Sequence, residues 1–221
     1  MAPPALPHLS DRRQRRSAEL RERVFRAALA LFARKGFNET TVEDITNAAD
    51  VGKGTFFNYF PSKDHILLGF AEMQLAKLQD AVEEAQRTDQ PMPQFLRALG
   101  TRMTQEPIRN PAIIRTLLQA YLSSASPIRK AMLELQDRVL ALHSQMISLG
   151  QQRGEIRADL PAIEIAQVFR QTVFGTLLLW CLHGDATLHA RIEEAFEVLW
   201  SGLAPRNPGR ANSVVPTYGG D

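Results

Sequence analysis

Apolar residues recur along this chain at helical intervals, and nowhere do they alternate as in a half-buried strand. From Ser17 onward, Leu20, Val24, Ala28 and Leu31 share one face, with Phe25 and Phe32 beside them, before Gly36 offers a left-handed stop. This spacing predicts a helix over 17–35. Thr40-Thr41-Val42-Glu43 reads as a capping box with Thr40 as the cap and Glu43 three residues on. It opens a short helix over 41–49 that turns Val42, Ile45, Ala48 and Ala49 inward. Asp50-Val51-Gly52 breaks the pattern as a turn, and a third helix over 53–59 buries Phe56 and Phe60, four residues apart on one face.

The remainder continues in helices punctuated by proline and glycine. Pro61-Ser62 ends the third helix and opens a long one over 63–87. Pro91 and Pro93 introduce a helix over 93–105, and Pro107 and Pro111 bracket the start of one ending near Ser123. Ser126-Pro127 opens a helix that stops at Gly154, Asp159 and Pro161 open one that stops at Gly184, and the last covers 187–203. The expected fold is all-α, with about nine helices: an N-terminal three-helix, helix-turn-helix domain and a larger helical domain. The expected division is a disordered basic arm over 1–16, the helix-turn-helix over 17–61, the large domain over 62–204 and a disordered tail over 205–221.

Composition narrows the class. With 221 residues, 44% hydrophobic and 23% charged at a net charge of +2, the chain has the make-up of a soluble globular protein. Its single cysteine, Cys181, forms no intramolecular disulfide, which suits a reducing compartment. The best apolar stretch, Val173 to Leu182, is too short for a membrane span and contains Gly175 and Thr176. The proline-rich start has no apolar export segment behind it. The expectation is a cytoplasmic protein with no membrane partner. Charge is uneven along the chain, since residues 1–63 hold 11 Lys/Arg against 7 Asp/Glu, while the rest holds 15 against 17. Arginines 12, 13, 15, 16, 21, 23 and 26 face only Glu19 and Glu22. Such an end either binds a polyanion or is a solvated arginine run.

The segment after the arginines favours the polyanion. Two short helices separated by a three-residue turn match helix-turn-helix spacing, in which the second helix offers its outer face to the major groove. Lys53, Thr55, Phe57, Asn58 and Tyr59 face outward while Phe56 and Phe60 hold the helix down. Phe57 has two placements, in the core or toward DNA, and the second is favoured because Phe56 already fills the inward slot. Thr41 lies at a helix N-terminus, where free N–H groups attract a phosphate, and Lys63 occupies a similar place on the next helix.

At these residues the chain resembles the TetR family of transcriptional regulators. The resemblance is carried by Thr40-Thr41-Val42-Glu43-Asp44-Ile45 and by Val51-Gly52-Lys53-Gly54-Thr55-Phe56-Phe57-Asn58-Tyr59-Phe60-Pro61-Ser62-Lys63. It extends back through Ala28-Leu29-Ala30-Leu31-Phe32 and Lys35-Gly36-Phe37, covering about residues 17–66. It implies that Lys53, Gly54, Thr55 and Phe57 approach base edges and that Thr41, Asn58, Tyr59 and Lys63 hold phosphates. Gly54 would let the recognition helix come close to DNA. Two positions depart from the pattern: Asp50 stands where glycine is common, and Gly52 where a serine hydroxyl often contacts phosphate.

Other chemistry has little support. Gly52-Lys53-Gly54-Thr55 lacks the first glycine of a phosphate-binding loop, since residue 47 is Asn. The five histidines (8, 65, 143, 183, 189) form no metal-binding spacing, no cofactor is expected, and Cys181 reads as a small core residue. The best enzyme reading, a hydrolase using His183 with Glu164 or Asp185, has no nucleophile motif behind it.

The large domain exceeds what DNA binding needs. Over 161–183, Ile165, Val168, Phe169, Val173, Phe174, Leu177, Leu178 and Trp180 make a helix apolar nearly all round. Over 187–203, Ile192, Ala195, Phe196, Leu199 and Trp200 share a face. Both are candidates for a homodimer interface, the alternative being interior helices of a monomer. Candidate effector-pocket residues are Phe95, Leu99, Met103, Leu118, Tyr121, Met146, Phe174 and Trp180, with Arg115 and His183 as orienting polar groups. The expected function is a homodimeric repressor on a palindromic double-stranded operator, released by a small hydrophobic or aromatic effector. The alternative is a helix-turn-helix protein that organises DNA or binds a protein partner without an effector.

Overall fold

Helix ends in this chain are set by a few residues whose backbone or side chain has no alternative use. The computed structural model describes residues 8–109, 111–123, 125–183 and 188–204. These form α1 (His8–Lys35), α2 (Val42–Ala48), α3 (Lys53–Tyr59), α4 (Asp64–Arg87), α5 (Met92–Arg109), α6 (Pro111–Leu122), α7 (Arg129–Gln152), α8 (Ala162–His183) and α9 (Leu188–Leu203). No strand occurs among the described residues. Gly36 ends α1 at φ +86° and Gly154 follows α7 at φ +71°, both in the left-handed region the pattern required.

Several boundaries differ from expectation for identifiable reasons. The helix expected to begin at Ser17 begins at His8, so Arg15 and Arg16 continue α1 as exposed positions. The capping box sits one residue later than expected. Thr40 is fully buried and donates its hydroxyl to the Gly36 carbonyl at 2.7 Å, closing the end of α1. Thr41 therefore caps α2 and pairs with Asp44. Helix α5 runs through Pro107, which lies near its C-terminus where a missing N–H costs least to the helix beyond it. The expected stop at Gly184 and the tail over 205–221 lie outside the described residues.

A single cluster of buried side chains joins the first three helices to the rest. Val24, Ala28 and Phe32 of α1, Ile45 of α2, Phe56 of α3 and Phe60 just beyond it meet Ile66, Leu67 and Phe70 of α4. The same cluster continues into Ile113, Ile114 and Leu117 of α6 and Met132 and Leu135 of α7. A second cluster fills the far end with Leu78, Val82 and Ala85 of α4, Phe95 and Leu96 of α5, Met146 and Ile147 of α7, and Phe196 of α9. Helix α8 packs against α7 and α9. It is long and apolar enough to cross a membrane by length and composition, a property that Val173–Leu182 alone does not reveal. Its Glu164, Arg170 and helix-packing partners place it in the protein body instead.

Two cations tie α4 to its neighbours. The Lys63 ammonium, just ahead of α4, donates to the carbonyls of Phe37 (2.9 Å), Asn38 (3.2 Å) and Thr40 (3.1 Å) in the α1–α2 loop. It also lies 4.5 Å from the Phe37 ring centroid. At the other end Arg153 donates to the carbonyls of Ala85 and Thr88, both at 2.7 Å, satisfying acceptors that the end of α4 leaves open. The three Lys63 hydrogens are thus matched to three loop carbonyls. A Lys63→Met chain is expected to lose about 1–3 kcal/mol of stability, read as a lower urea midpoint. An unchanged midpoint would show that the ammonium is dispensable to the loop.

Candidate nucleic-acid interface

The three-residue break between α2 and α3 folds as a tight turn. Asp50 adopts φ +49°, and its carbonyl accepts from Arg23 of α1 at 3.1 Å. The Val51 N–H returns to the Thr46 carbonyl at 3.0 Å. The departure from glycine at position 50 is therefore accommodated, as aspartate tolerates the left-handed region. Gly52 is the N-cap of α3 and offers no side-chain hydrogen bond.

Beneath α3, Phe56 and Phe60 are buried, and Phe60 stacks on Phe25 of α1. This fixes the rotation of the helix. Lys53, Gly54, Phe57 and Asn58 are all exposed, and their i, i+1, i+4, i+5 spacing puts them on one outward face. Phe57 is 53% exposed and meets Phe56 edge to face at 5.2 Å, so it takes the outward placement. Thr55 and Tyr59 lie on the half-buried flank. The Tyr59 hydroxyl is 3.1 Å from Ser17 Oγ, linking α3 to α1. Lys53 pairs with Glu43 at 3.1 Å, an exposed ion pair of the kind that salt and competing anions readily displace.

The two remaining expected phosphate contacts have structural partners. Thr41 accepts from the Asp44 N–H at 3.0 Å, and the Asp44 carboxylate in turn accepts from Thr41 N–H at 2.8 Å and from Lys35 at 2.7 Å. The Lys35 ammonium, then the Thr41 N–H and hydroxyl, hold the Asp44 carboxyl well below the usual carboxylate range. The N-terminus of α2 thus already carries an anion of its own. Lys63 is committed to the carbonyls of the α1–α2 loop.

Behind this head, α4–α9 enclose a cavity of about 280 Å³. Of the expected pocket residues, Leu99, Met103, Leu118, Tyr121 and Phe174 line it. Phe95, Met146 and Trp180 do not, because each is packed into the solid part of the core. Arg115 is exposed and donates to the Cys181 carbonyl at 3.3 Å, and His183 is exposed with its Nδ1 2.7 Å from the Leu179 carbonyl. The polar groups of the wall include instead Gln74, Arg97, Thr104, Gln136, His143, Arg170 and Glu193. Gln74 and His143 had a legible signal. Phe70-Gln74-Leu78 and Val139-His143-Ile147 each set a polar residue at i+4 within an apolar helical stripe. Cys181 is half-buried and its thiol is pushed up by burial. Among the described residues no group of three or more His, Cys, Asp or Glu side chains is placed to hold a metal.

Residues 24–70 match the family profile described as bacterial regulatory proteins, tetR family. The transcriptional repressor BepR of Brucella suis is 27% identical over 177 residues, covering 76% of this chain and 83% of that protein. The repressor KstR of Mycobacterium tuberculosis is 25% identical, over 73% of this chain and 71% of its own. The TetR-family repressor FadR of Thermus thermophilus, solved in complex with lauroyl-CoA, superposes with a TM-score of 0.65 at 28% identity, covering 90% of this chain and all of that one. The profile falls on the helices that present the outward face of α3, and the structural likeness runs through the large helical body as well. This chain is accordingly similar to TetR-family transcriptional regulators, by sequence in its first helices and by fold through its large helical body.

Proposed function

We propose that the chain acts as a homodimeric repressor on a palindromic operator and is released by a small effector held in the α4–α9 cavity. The observation that carries this reading is the pairing of an exposed α3 face with a partly open cavity through one helix. Helix α4 starts at the Lys63 tie to the α1–α2 loop and supplies Phe70, Gln74, Leu75 and Leu78 to the cavity wall. An effector that fits one position of α4 better than another shifts the equilibrium between DNA-competent and released states, whereas equal fit to both would shift nothing. In the operator complex Lys53, Gly54 and Phe57 approach the bases, Asn58 holds a phosphate, and Thr55 and Tyr59 close the flank. Thr41 and Lys63 act as caps.

The dimer reading rests on unburied apolar surface. Leu182 is 73% exposed and Leu179 and Val168 about half exposed on α8, and Val198 on α9 is 75% exposed. A two-fold partner seated on these helices would cover that surface and present two α3 faces to half-sites about 34–36 Å apart.

Fluorescence anisotropy against DNA from the gene's own upstream region, at several salt concentrations, is expected to show saturable, sequence-preferring binding that weakens steeply with salt. Binding without sequence preference would instead favour a DNA-organising protein. A Cβ added at Gly54 meets no protein atom within 4 Å, so Gly54→Ala should leave the fold intact or stabilise it by up to about 1 kcal/mol. The same change should weaken operator binding on the order of tenfold; an unaltered affinity would remove Gly54 from the interface. Leu182→Glu combined with Val198→Glu should convert the dimer to monomer in sedimentation and abolish operator binding.

A further inference from the structure

The cavity wall is mostly apolar, and two of its polar side chains lack partners. Both amide atoms of Gln74 and the Nδ1 of His143 are buried without a hydrogen bond. Leaving such groups unpaired in an apolar interior is costly, so a bound molecule that pairs them recovers free energy. Both line the same cavity. Arg153 bonds Ala85 and Thr88, which sets α4 along α7 so that Gln74 stands level with Val139 to His143. The facing α8 contributes Phe169, whose ring meets His143 edge to face at 5.2 Å, and Arg170 beside it.

Charge at this level is unbalanced. The other ionisable cavity residues, Arg97 and Glu193, are paired with Glu197 and His189 respectively. Arg170 is half-buried, donates only a long 3.4 Å hydrogen bond to the Gln136 carbonyl, and pairs with no carboxylate among the described residues. Burial first, and the Arg170 charge second, hold the His143 ring at about 4, so it stays a neutral hydrogen-bonding group at pH 7. The groups that act on His143 are thus Phe169 and Arg170 from α8, with Gln74 of α4 on the same cavity wall and no carboxylate among the described residues.

We infer that the cavity takes an apolar monocarboxylic acid, its carboxylate seated among Arg170, His143 and Gln74 and its hydrocarbon body along Leu99, Leu118 and Phe174. A carboxylate supplies acceptors to the Arg170 guanidinium, to an imidazole N–H and to the Gln74 Nε2, though not a donor to the Gln74 Oε1, and it neutralises the Arg170 charge. A volume of about 280 Å³ suits a ligand with a short chain or a single ring, on the order of ten non-hydrogen atoms. This inference rests on the proposed effector role of the cavity and specifies its chemistry.

Calorimetric titration of the full-length protein with octanoate and with 1-octanol separates head group from chain. Octanoate is expected to bind saturably, one per chain, and on the order of tenfold more tightly than 1-octanol. Arg170→Met should erase that preference while leaving 1-octanol binding intact, which also reports that the cavity is still formed. In ring-labelled protein, octanoate but not 1-octanol should move the His143 titration upward. Equal or tighter binding of 1-octanol, or a preference that survives Arg170→Met, overturns the acid and leaves the effector cavity standing. Binding of neither molecule overturns the cavity as an effector site and the acid with it.

Discussion

The placement of α2 in the head of the protein leans on one ammonium group. Helices α2 and α3 are each seven residues long, too short to be stable alone, and their orientation comes from what they are packed and tied against. Phe56 and Phe60 fix the rotation of α3, but the loop that delivers α2 is held by Lys63 against three carbonyls. Those carbonyls lie in the loop between two helices, and that of Phe37 also accepts from the Thr40 N–H at 3.3 Å. A cation with three hydrogens satisfies all of them at once, and the Phe37 ring adds a further attraction. The residue that opens the body of the protein is therefore also the one that finishes the head.

The core makes this connection continuous. No seam of solvent separates α1–α3 from the larger helical body, because the cluster around Phe32 and Phe56 runs on through Phe70 into α6 and α7. Stability of the head and shape of the body are then properties of one packed interior, in which displacement of a side chain is felt by its neighbours rather than absorbed. The apolar stripe of α8 is a different case. Much of its surface is uncovered within a single chain, and its composition is that of a helix meant to be surrounded.

Most of the architecture was legible from spacing. Gly36, Gly154, the turn at Asp50 and the nine helical stretches follow from backbone preferences and periodicity, which are local properties. The shift of the cap from Thr40 to Thr41 was not legible, because it depends on Thr40 being buried against the end of α1. The outward face of α3 was largely readable, since two buried phenylalanines determine the rest of a short helix. The cavity was half readable. Periodicity says that Phe95, Met146 and Trp180 turn inward, but cannot say that they meet solid packing while Leu99 and Phe174 meet space. Arg115 and His183 were chosen as polar residues near apolar ones. The better guide was a polar residue inside an apolar stripe, as at Gln74 and His143.

The tie at Arg153 gives α4 an uneven mechanical character. Its 24 residues span roughly 36 Å as a straight helix. The far end is fastened by two short bonds from a part-buried guanidinium, while the near end is fastened to a loop. Gln74 lies close to the midpoint. For a stiff rod pivoting about its Arg153 end, a sideways push at the middle emerges about twofold larger at the other end. A displacement of a fraction of an ångström beside the cavity would thus arrive magnified where Lys63 carries the α1–α2 loop.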